Sequence, residues 1–284
     1  MTEVDIDHLR SWIGKSRVVE DIATPRLALS LNAVLDRDER VGEGAPAPVG
    51  IHWCLAPDIV PMREIGPDGH PARGGFLPPV PFPRRMWAAG ALQFHGDFRV
   101  GDRIARHSTI DNVEFKTGRS GEMIFVTVRH AYETPRGLAL EERQDIVYRK
   151  LEGGSSAASA ASPPPAEPEP ADVTREVDAN PVLLFRYSAI TFNGHRIHYD
   201  HPYVTGEEGY PRLIFHGPLQ ATLLLSLATD LGEGKVPARF SFRAVRPLFA
   251  GGRPKLKARK EDKGLALWCE APDAHVTMTA TAEG

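Results

Sequence analysis

Between Pro218 and Leu231 the apolar positions Leu219, Ala221, Leu223, Leu224, Leu225, Leu227, Ala228 and Leu231 leave almost no polar face. That pattern predicts a helix buried on most sides rather than one laid on a surface. Pro218 suits its first turn, where a missing N–H costs nothing, and Gly232 suits a left-handed stop. Two shorter helical patterns open the chain: Ile6, Leu9 and Ile13 at helical spacing, and TPRLALSLNAVL over 24–35, with Thr24 as N-cap and Pro25 in first position. From Met86 the period turns to that of strands, in MWAAGALQFHGDF, DRIARHSTIDNVEFKT, EMIFVTVRHAYET and LALEERQDIVYRK, with turns at 118–121 and 135–137. A second strand series, ARFSFRAVRPLFAGG, PKLKARKED, LALWCEA and HVTMTATAE, follows the long helix. Both series read as antiparallel meanders.

Two stretches break the pattern. Residues 42–83, including GGFLPPVPFPRR, are too rich in Gly and Pro for central strands and must be irregular chain, a length of loop that usually covers or lines a site. Residues 152–172, GGSSAASAASPPPAEPEPADV, have nothing with which to bury apolar area and read as a linker. The chain therefore divides into residues 1–150, a linker over 151–175, and residues 176–284. The halves echo each other, because 94–108 and 242–258 both place an apolar strand, a Gly-containing corner and a second strand in that order. A long buried helix followed by an antiparallel sheet leaves the sheet to curl around the helix, an α+β arrangement. The first half keeps the sheet and has the Pro-rich loop where the helix would be.

Composition narrows the function. In 284 residues with 42% hydrophobic and 25% charged, a net charge of -3 gives no basic field for nucleic acid. No apolar stretch approaches the roughly 20 residues a membrane helix needs, and the N-terminus lacks a signal-peptide pattern, so a cytoplasmic protein without membrane partners is expected. Cys54 and Cys269 sit in apolar segments with no CxxC partner and read as reduced core thiols.

The candidate chemistry is concentrated in residues 185–232, which carry four of the eleven histidines. His195, His198 and His201 are spaced three apart, and Asp200 lies among them, a set that on a helix would align as metal ligands. Gly194 and Pro202 break that regularity, so no metal is expected. His216 reads as a packing residue before the helix. Gly217 opens the helix with an unpaired N–H and the positive end of the dipole, although a close backbone approach would equally call for glycine there.

Residues 193–198 (NGHRIH) and 215–219 (FHGPL), at matching spacing, resemble the paired motifs of MaoC-like dehydratases, the hydratase-2 family. With GGFLPPVPFPRRMW in the first half, the run TFNGHRIHYD looks more narrowly like the double-hotdog subgroup of mesaconyl-C4-CoA and itaconyl-CoA hydratases and type 2 hydroxyacyl-thioester dehydratases. The resemblance implies a double hotdog, a degenerate substrate-binding first half and a catalytic second half. It implies a hydro-lyase that interconverts an enoyl-CoA and a 3-hydroxyacyl-CoA without a cofactor, the CoA thioester being the substrate. A short branched dicarboxylic acyl group is the first expectation. By position, His198 falls on the family's catalytic histidine, Gly217 on its oxyanion-holding glycine, and Asn193 on its catalytic aspartate. That last position departs from the pattern, since a carboxamide orients water but does not shuttle protons.

His195, Tyr199 or Asp200 would then complete a proton path. Arg84, Arg85, Arg196 and Arg243, with Arg212 and Arg246, are candidates for CoA phosphates or a second carboxylate, which the guanidinium fork suits. The competing functions are an acyl-CoA thioesterase and a non-catalytic acyl-thioester-binding subunit. A thioesterase would need a carboxylate on the central helix, where only Gln220 and the distant Asp230 are available. Two fused hotdogs would serve as a monomer or pair again as a homodimer.

Overall fold

The computed structural model describes residues 4–39, 41–118, 121–150 and 170–284. Among the described residues, ten strands form a single antiparallel sheet. The first half contributes β1 (Ser16–Ile22), β2 (Arg84–Phe94), β3 (Arg103–Gly118), β4 (Gly121–Thr134) and β5 (Gly137–Arg149), and the second β6 (Val173–Glu176), β7 (Arg239–Ala244), β8 (Lys255–Glu261), β9 (Gly264–Glu270) and β10 (Val276–Glu283). The order is β1-β3-β4-β5-β2-β7-β10-β9-β8-β6, so each half runs through its strands in the same sequence and the two meet at β2 and β7. This is the duplicated hotdog that the repeat implied.

The central helix α5 (Gly217–Leu231) packs against all four strands β7–β10. Every residue from Leu219 to Thr229 is buried, including Gln220, Thr222, Ser226 and Thr229, which is why no polar stripe is visible in its sequence. The thiols of Cys54 and Cys269 are buried and free. In the first half, the place α5 holds before its sheet is taken by the one-turn 3₁₀ segment Ile51–Cys54 and then by chain to Pro83 that is irregular except for a 3₁₀ turn at Met62–Glu64. Val80 and Phe82 of that loop, with Leu9 of α1 (Ile6–Arg10), cover Ile110, Val113, Ile124, Val126, Val128 and Ile146. The loop thus replaces a helix as core.

Several elements differ from expectation. α1 ends at Arg10, short of Ile13, the last apolar position of its helical pattern. α2 (Pro25–Val34) matches its pattern, and Thr24 Oγ1 accepts from Leu27 N at 3.2 Å. The edge strand β1 was not predicted, because its alternation is between exposed and half-exposed positions and no apolar face marks it. The linker expected over 151–175 lies mostly outside the described residues, and its last residues, from Val173, are instead the edge strand β6, paired with β8. Gly232 is not the left-handed stop of α5: its φ is -87°, and the reversal falls on Glu233 and Gly234, at 57° and 86°.

The seam between the halves depends on a glycine. At the register Gly90↔Phe242, a Cβ on Gly90 would meet Phe242 Cζ at 2.3 Å. Phe242 in turn stacks edge-on to Trp87 and Trp53, at centroid distances of 4.9 Å and 6.0 Å, so its ring has nowhere to retreat. Gly90→Ala is therefore expected to destabilise the protein by about 1–3 kcal/mol through overpacking. Denaturant unfolding checks this, and an unchanged midpoint would show that the seam tolerates the added methyl.

Candidate active site

The polar run before α5 is helical in part. α3 (Pro181–Thr191) starts at an Asn180 cap and ends at Phe192, a non-glycine residue in the left-handed region at φ 53°. The chain then turns on Asn193, whose Oδ1 accepts from His195 N at 3.0 Å. A single 3₁₀ turn, Arg196–His198, follows, then α4 (His201–Gly206), and Ile214 N donates to Ile197 O at 2.9 Å. These bonds bring His198 beside the entrance of α5.

The first half reaches the same place through its Pro-rich loop. Arg196 N donates to Asp68 O at 2.9 Å, and Gly69 and Gly194 touch backbone to backbone. A Cβ on Gly69, whose φ is +88°, would meet Gly194 O at 1.9 Å, and one on Gly194 would meet Gly69 O at 2.7 Å. Gly194 therefore does more than interrupt a helix: it admits the loop that carries His70. The His70 and His195 rings lie 4.3 Å apart, and those of His195 and His198 lie 5.4 Å apart.

His198 is held on two sides. Its ring stacks on His216 at 3.6 Å, and its Nδ1 lies 2.8 Å from Ile214 O. A carbonyl only accepts, so Nδ1 carries the proton and Nε2 is left as the basic nitrogen. Burial lowers the His198 pKa to about 4, although the bond to Ile214 opposes the shift. His216, whose Nε2 pairs with Ser188 Oγ at 2.8 Å, and His195 and His70 are likewise driven well below the ordinary range by burial first and neighbouring charge second. At neutral pH these imidazoles are uncharged.

Around them lies a cavity of about 1640 Å³, lined from the first half by His70, Arg85 and Trp87 and from the second by Asn193, His195, His198, Tyr199 and Gly217. No side chain caps α5, whose first residue, Gly217, opens on the cavity. A Cβ there would find only Trp87 O, at 3.9 Å, so close backbone packing does not account for the glycine. Its N–H and the positive helix end are available to a ligand oxygen.

The remaining predicted residues are placed as follows. Tyr199 is half exposed and its hydroxyl donates to Gly194 O at 2.9 Å. Asp200 does not line the cavity: it caps α4 through Tyr203 N and pairs with Arg196, and both interactions hold its carboxyl below the usual range. It is a fixed anion rather than a proton relay. Arg196 is spent on Asp200 and Pro67 O, and Arg84 on Glu208. Arg243 and Arg212 are exposed and away from the cavity, while Arg85 and Arg246 line it. His70, Ser188 and Trp87 were missed by sequence reasoning. His70 sits in a loop whose only signal is its Gly and Pro content.

Asp68, His70 and His195 place ligand-type atoms within 4.8 Å of one another, a potential metal cluster. However, Arg85 Nη2 lies 3.1 Å from His70 Nδ1, and a guanidinium only donates, so that nitrogen is already engaged. The charge of Arg85 also helps keep both imidazoles unprotonated, and a metal cation would face it directly. The cluster fits a metal poorly.

An uncapped helix end and a buried neutral histidine with one free nitrogen thus meet in a roomy cavity between the fused halves of a double hotdog. The sequence matches the hydroxyacyl-thioester dehydratase type 2 family over residues 50–250, and the chain belongs to that family. It is 41% identical over 276 residues to the mesaconyl-C(4)-CoA hydratase of Chloroflexus aurantiacus, covering 96% of each protein. The mitochondrial hydroxyacyl-thioester dehydratase type 2 of Schizosaccharomyces pombe is 26% identical, over 70% of this chain and 73% of that one. Among solved structures, a MaoC-like dehydratase from Phytophthora capsici covers 99% of both chains with a TM-score of 0.69 at 14% identity. No helix among the described residues is long and apolar enough to cross a membrane.

The buried histidines carry a consequence for stability. His52 and His130 are lowered to about 3 and His198 to about 4, chiefly by burial, against about 6.5 in an unfolded chain. Between those values the unfolded state binds protons that the folded state refuses, so stability rises with pH there and is lost as pH falls. Glu142 and Glu208, raised by burial, work in the opposite direction but are fewer. Urea unfolding at pH 7 and pH 5 is expected to give a lower midpoint at pH 5. An equal or higher midpoint would refute the neutral state of these imidazoles.

Proposed function

We propose that the protein adds water across the double bond of an enoyl-CoA, and runs the reverse dehydration, with His198 as base and the Gly217 N–H as oxyanion donor. The supporting observation is the Nδ1–Ile214 bond, which leaves His198 Nε2 as an acceptor beside an uncapped helix end. In hydration, Nε2 takes a proton from water as the hydroxide oxygen bonds to the β carbon. The electron pair of the double bond moves toward the thioester oxygen, where the Gly217 N–H and the helix dipole stabilise the enolate. The imidazolium then returns its proton at the α carbon. An imidazolium of pKa about 4 is acidic enough for that return.

Asn193 does not enter the proton transfer. Its Oδ1 is committed to the His195 N–H, so only its amide N–H groups remain to hold the attacking water. The proton path then lies among imidazoles, with His195 as the second member. Hydrolysis of the thioester is disfavoured: Gln220 is bonded by Thr277 at 2.7 Å, and Asp230 is paired with Arg37 and Arg175 far from the helix entrance. By analogy with the mesaconyl-C(4)-CoA hydratase, the acyl group is short, branched and dicarboxylic, and no cofactor is needed. The active unit is one chain, since both halves contribute to the cavity, whether it works as a monomer or a homodimer.

His198→Gln is expected to lower kcat by about 10²–10⁴-fold on mesaconyl-C4-CoA, followed by loss of enoyl absorbance. Retained activity would remove His198 from the chemistry, and release of free thiol instead would establish a thioesterase. Because the base is already neutral at pH 5, kcat/KM of the intact enzyme should stay level from pH 7 to pH 5. An acid limb centred near 6.5 would contradict the buried state of His198. Gly217→Ala should fold normally, as its Cβ has room, yet raise KM and lower kcat together; full activity would relieve Gly217 of its oxyanion role.

A further inference from the structure

Of the guanidiniums that line the cavity, Arg85, Arg149 and Arg246 form no ion pair among the described residues, and Arg85 is the one that contacts the histidine cluster. Arg85 lines the wall, its Nη2 lies 3.1 Å from His70 Nδ1, and among the described residues it forms no ion pair. Further along the same wall, Arg17 and Arg106 share the single carboxylate of Asp58. Glu142, also on this wall, is pushed up by burial, and its carboxyl is engaged by Trp53 Nε1 at 2.9 Å and Tyr132 Oη at 3.2 Å rather than by Arg85. Half-buried cations in a lined cavity call for an anion. The fork of a guanidinium matches a carboxylate at two points.

Arg85 is also in the right place. One imidazole, His70, links it to His195, at 4.3 Å between ring centroids, and His195 stands 5.4 Å from His198. In a four-carbon unsaturated dicarboxylic monothioester, the free carboxylate is attached to the carbon that water attacks. Its anchor must then stand next to the base rather than at the far end of the cavity. His70 serves as the positioning group: its Nδ1 can only accept from Arg85, and the Gly69–Gly194 contact fixes the loop that carries it.

We propose that the Arg85 guanidinium, aimed by His70, binds the free carboxylate of a dicarboxylic acyl thioester and so selects this substrate class; this rests on the hydratase reading given above. Arg84, its neighbour in sequence, has no such role, because Glu208 already neutralises it.

The test compares wild type, Arg85→Gln and Arg85→Lys in two assays. In the first, kcat/KM is measured for mesaconyl-C4-CoA and for crotonyl-CoA, which lacks the distal carboxylate. Arg85→Gln should reduce the ratio of the two by about 10- to 100-fold, the range expected for losing a charged hydrogen-bond partner, and Arg85→Lys should restore part of it. In the second, calorimetry measures binding of succinyl-CoA and butyryl-CoA, neither of which has a double bond to hydrate. Wild type should prefer succinyl-CoA and Arg85→Gln should lose that preference. If both thioesters weaken in parallel, or the ratio stays put, Arg85 is not the anchor. If wild type hydrates neither enoyl thioester yet the succinyl preference depends on Arg85, the anchor stands and the hydratase reading falls.

Discussion

The carbonyl of Ile214 decides which nitrogen of His198 can accept a proton, and the rest of the site follows from that bond. A neutral imidazole in water exchanges tautomers freely. Here a single acceptor, placed where Ile214 leads the chain toward α5, removes the choice. Placing that carbonyl requires Ile214 to be tied to Ile197 on one side and the following residue, Phe215, to Leu248 on the other, so the imidazole's proton is placed by main-chain bonds and not by a carboxylate. The stack on His216 then fixes the ring plane. A site of this kind has no need of a carboxylate to orient its histidine, which is the job an aspartate at position 193 would otherwise share.

The first half is built for a different task, and the physical reason is volume. A second buried helix in the place of Ile51–Cys54 would fill the space that the cavity occupies. The Pro-rich loop instead covers the outer sheet with Val80 and Phe82 and sends His70 inward, leaving Arg85, Arg106 and Arg17 facing open volume. Absence of a second long helix thus turns half of a symmetric sheet from core into cavity wall. The register at β2 and β7 keeps the two halves rigidly joined while this happens, because Gly90 lets the Phe242 ring lie across the seam.

Legibility in the sequence followed the strength of the periodic signal. The long apolar helix and the meanders were readable because burial on every side or on alternate positions leaves a mark in composition. The short helices α3 and α4 were not: α3 carries Phe185 and Val182 on its exposed face, which blurs the helical stripe. The edge strands β1 and β6 bury little and leave no mark at all. Within the site, His198 and Gly217 were placed by motif spacing, whereas Asp200 looked equally plausible until the structure put it in the cap of α4. Arg84 and Arg85 are indistinguishable as letters, and only the position of Glu208, more than a hundred residues along, separates them.

His70 has the longest reach of the unpredicted residues, because it joins Arg85 of one half to His195 of the other. The contact that brings it in is between two glycines, Gly69 and Gly194, and contains no side chain at all. Sequence patterns encode burial and charge, and a backbone-to-backbone approach has neither. Gly194 stands inside the histidine motif and could be taken for a simple break in a helix. In the folded chain it is the point at which the Pro-rich loop is admitted to the turn that carries His195 and His198. A Cβ there would meet the Gly69 carbonyl, so any residue larger than glycine would part Arg85 and His70 from His195 and His198.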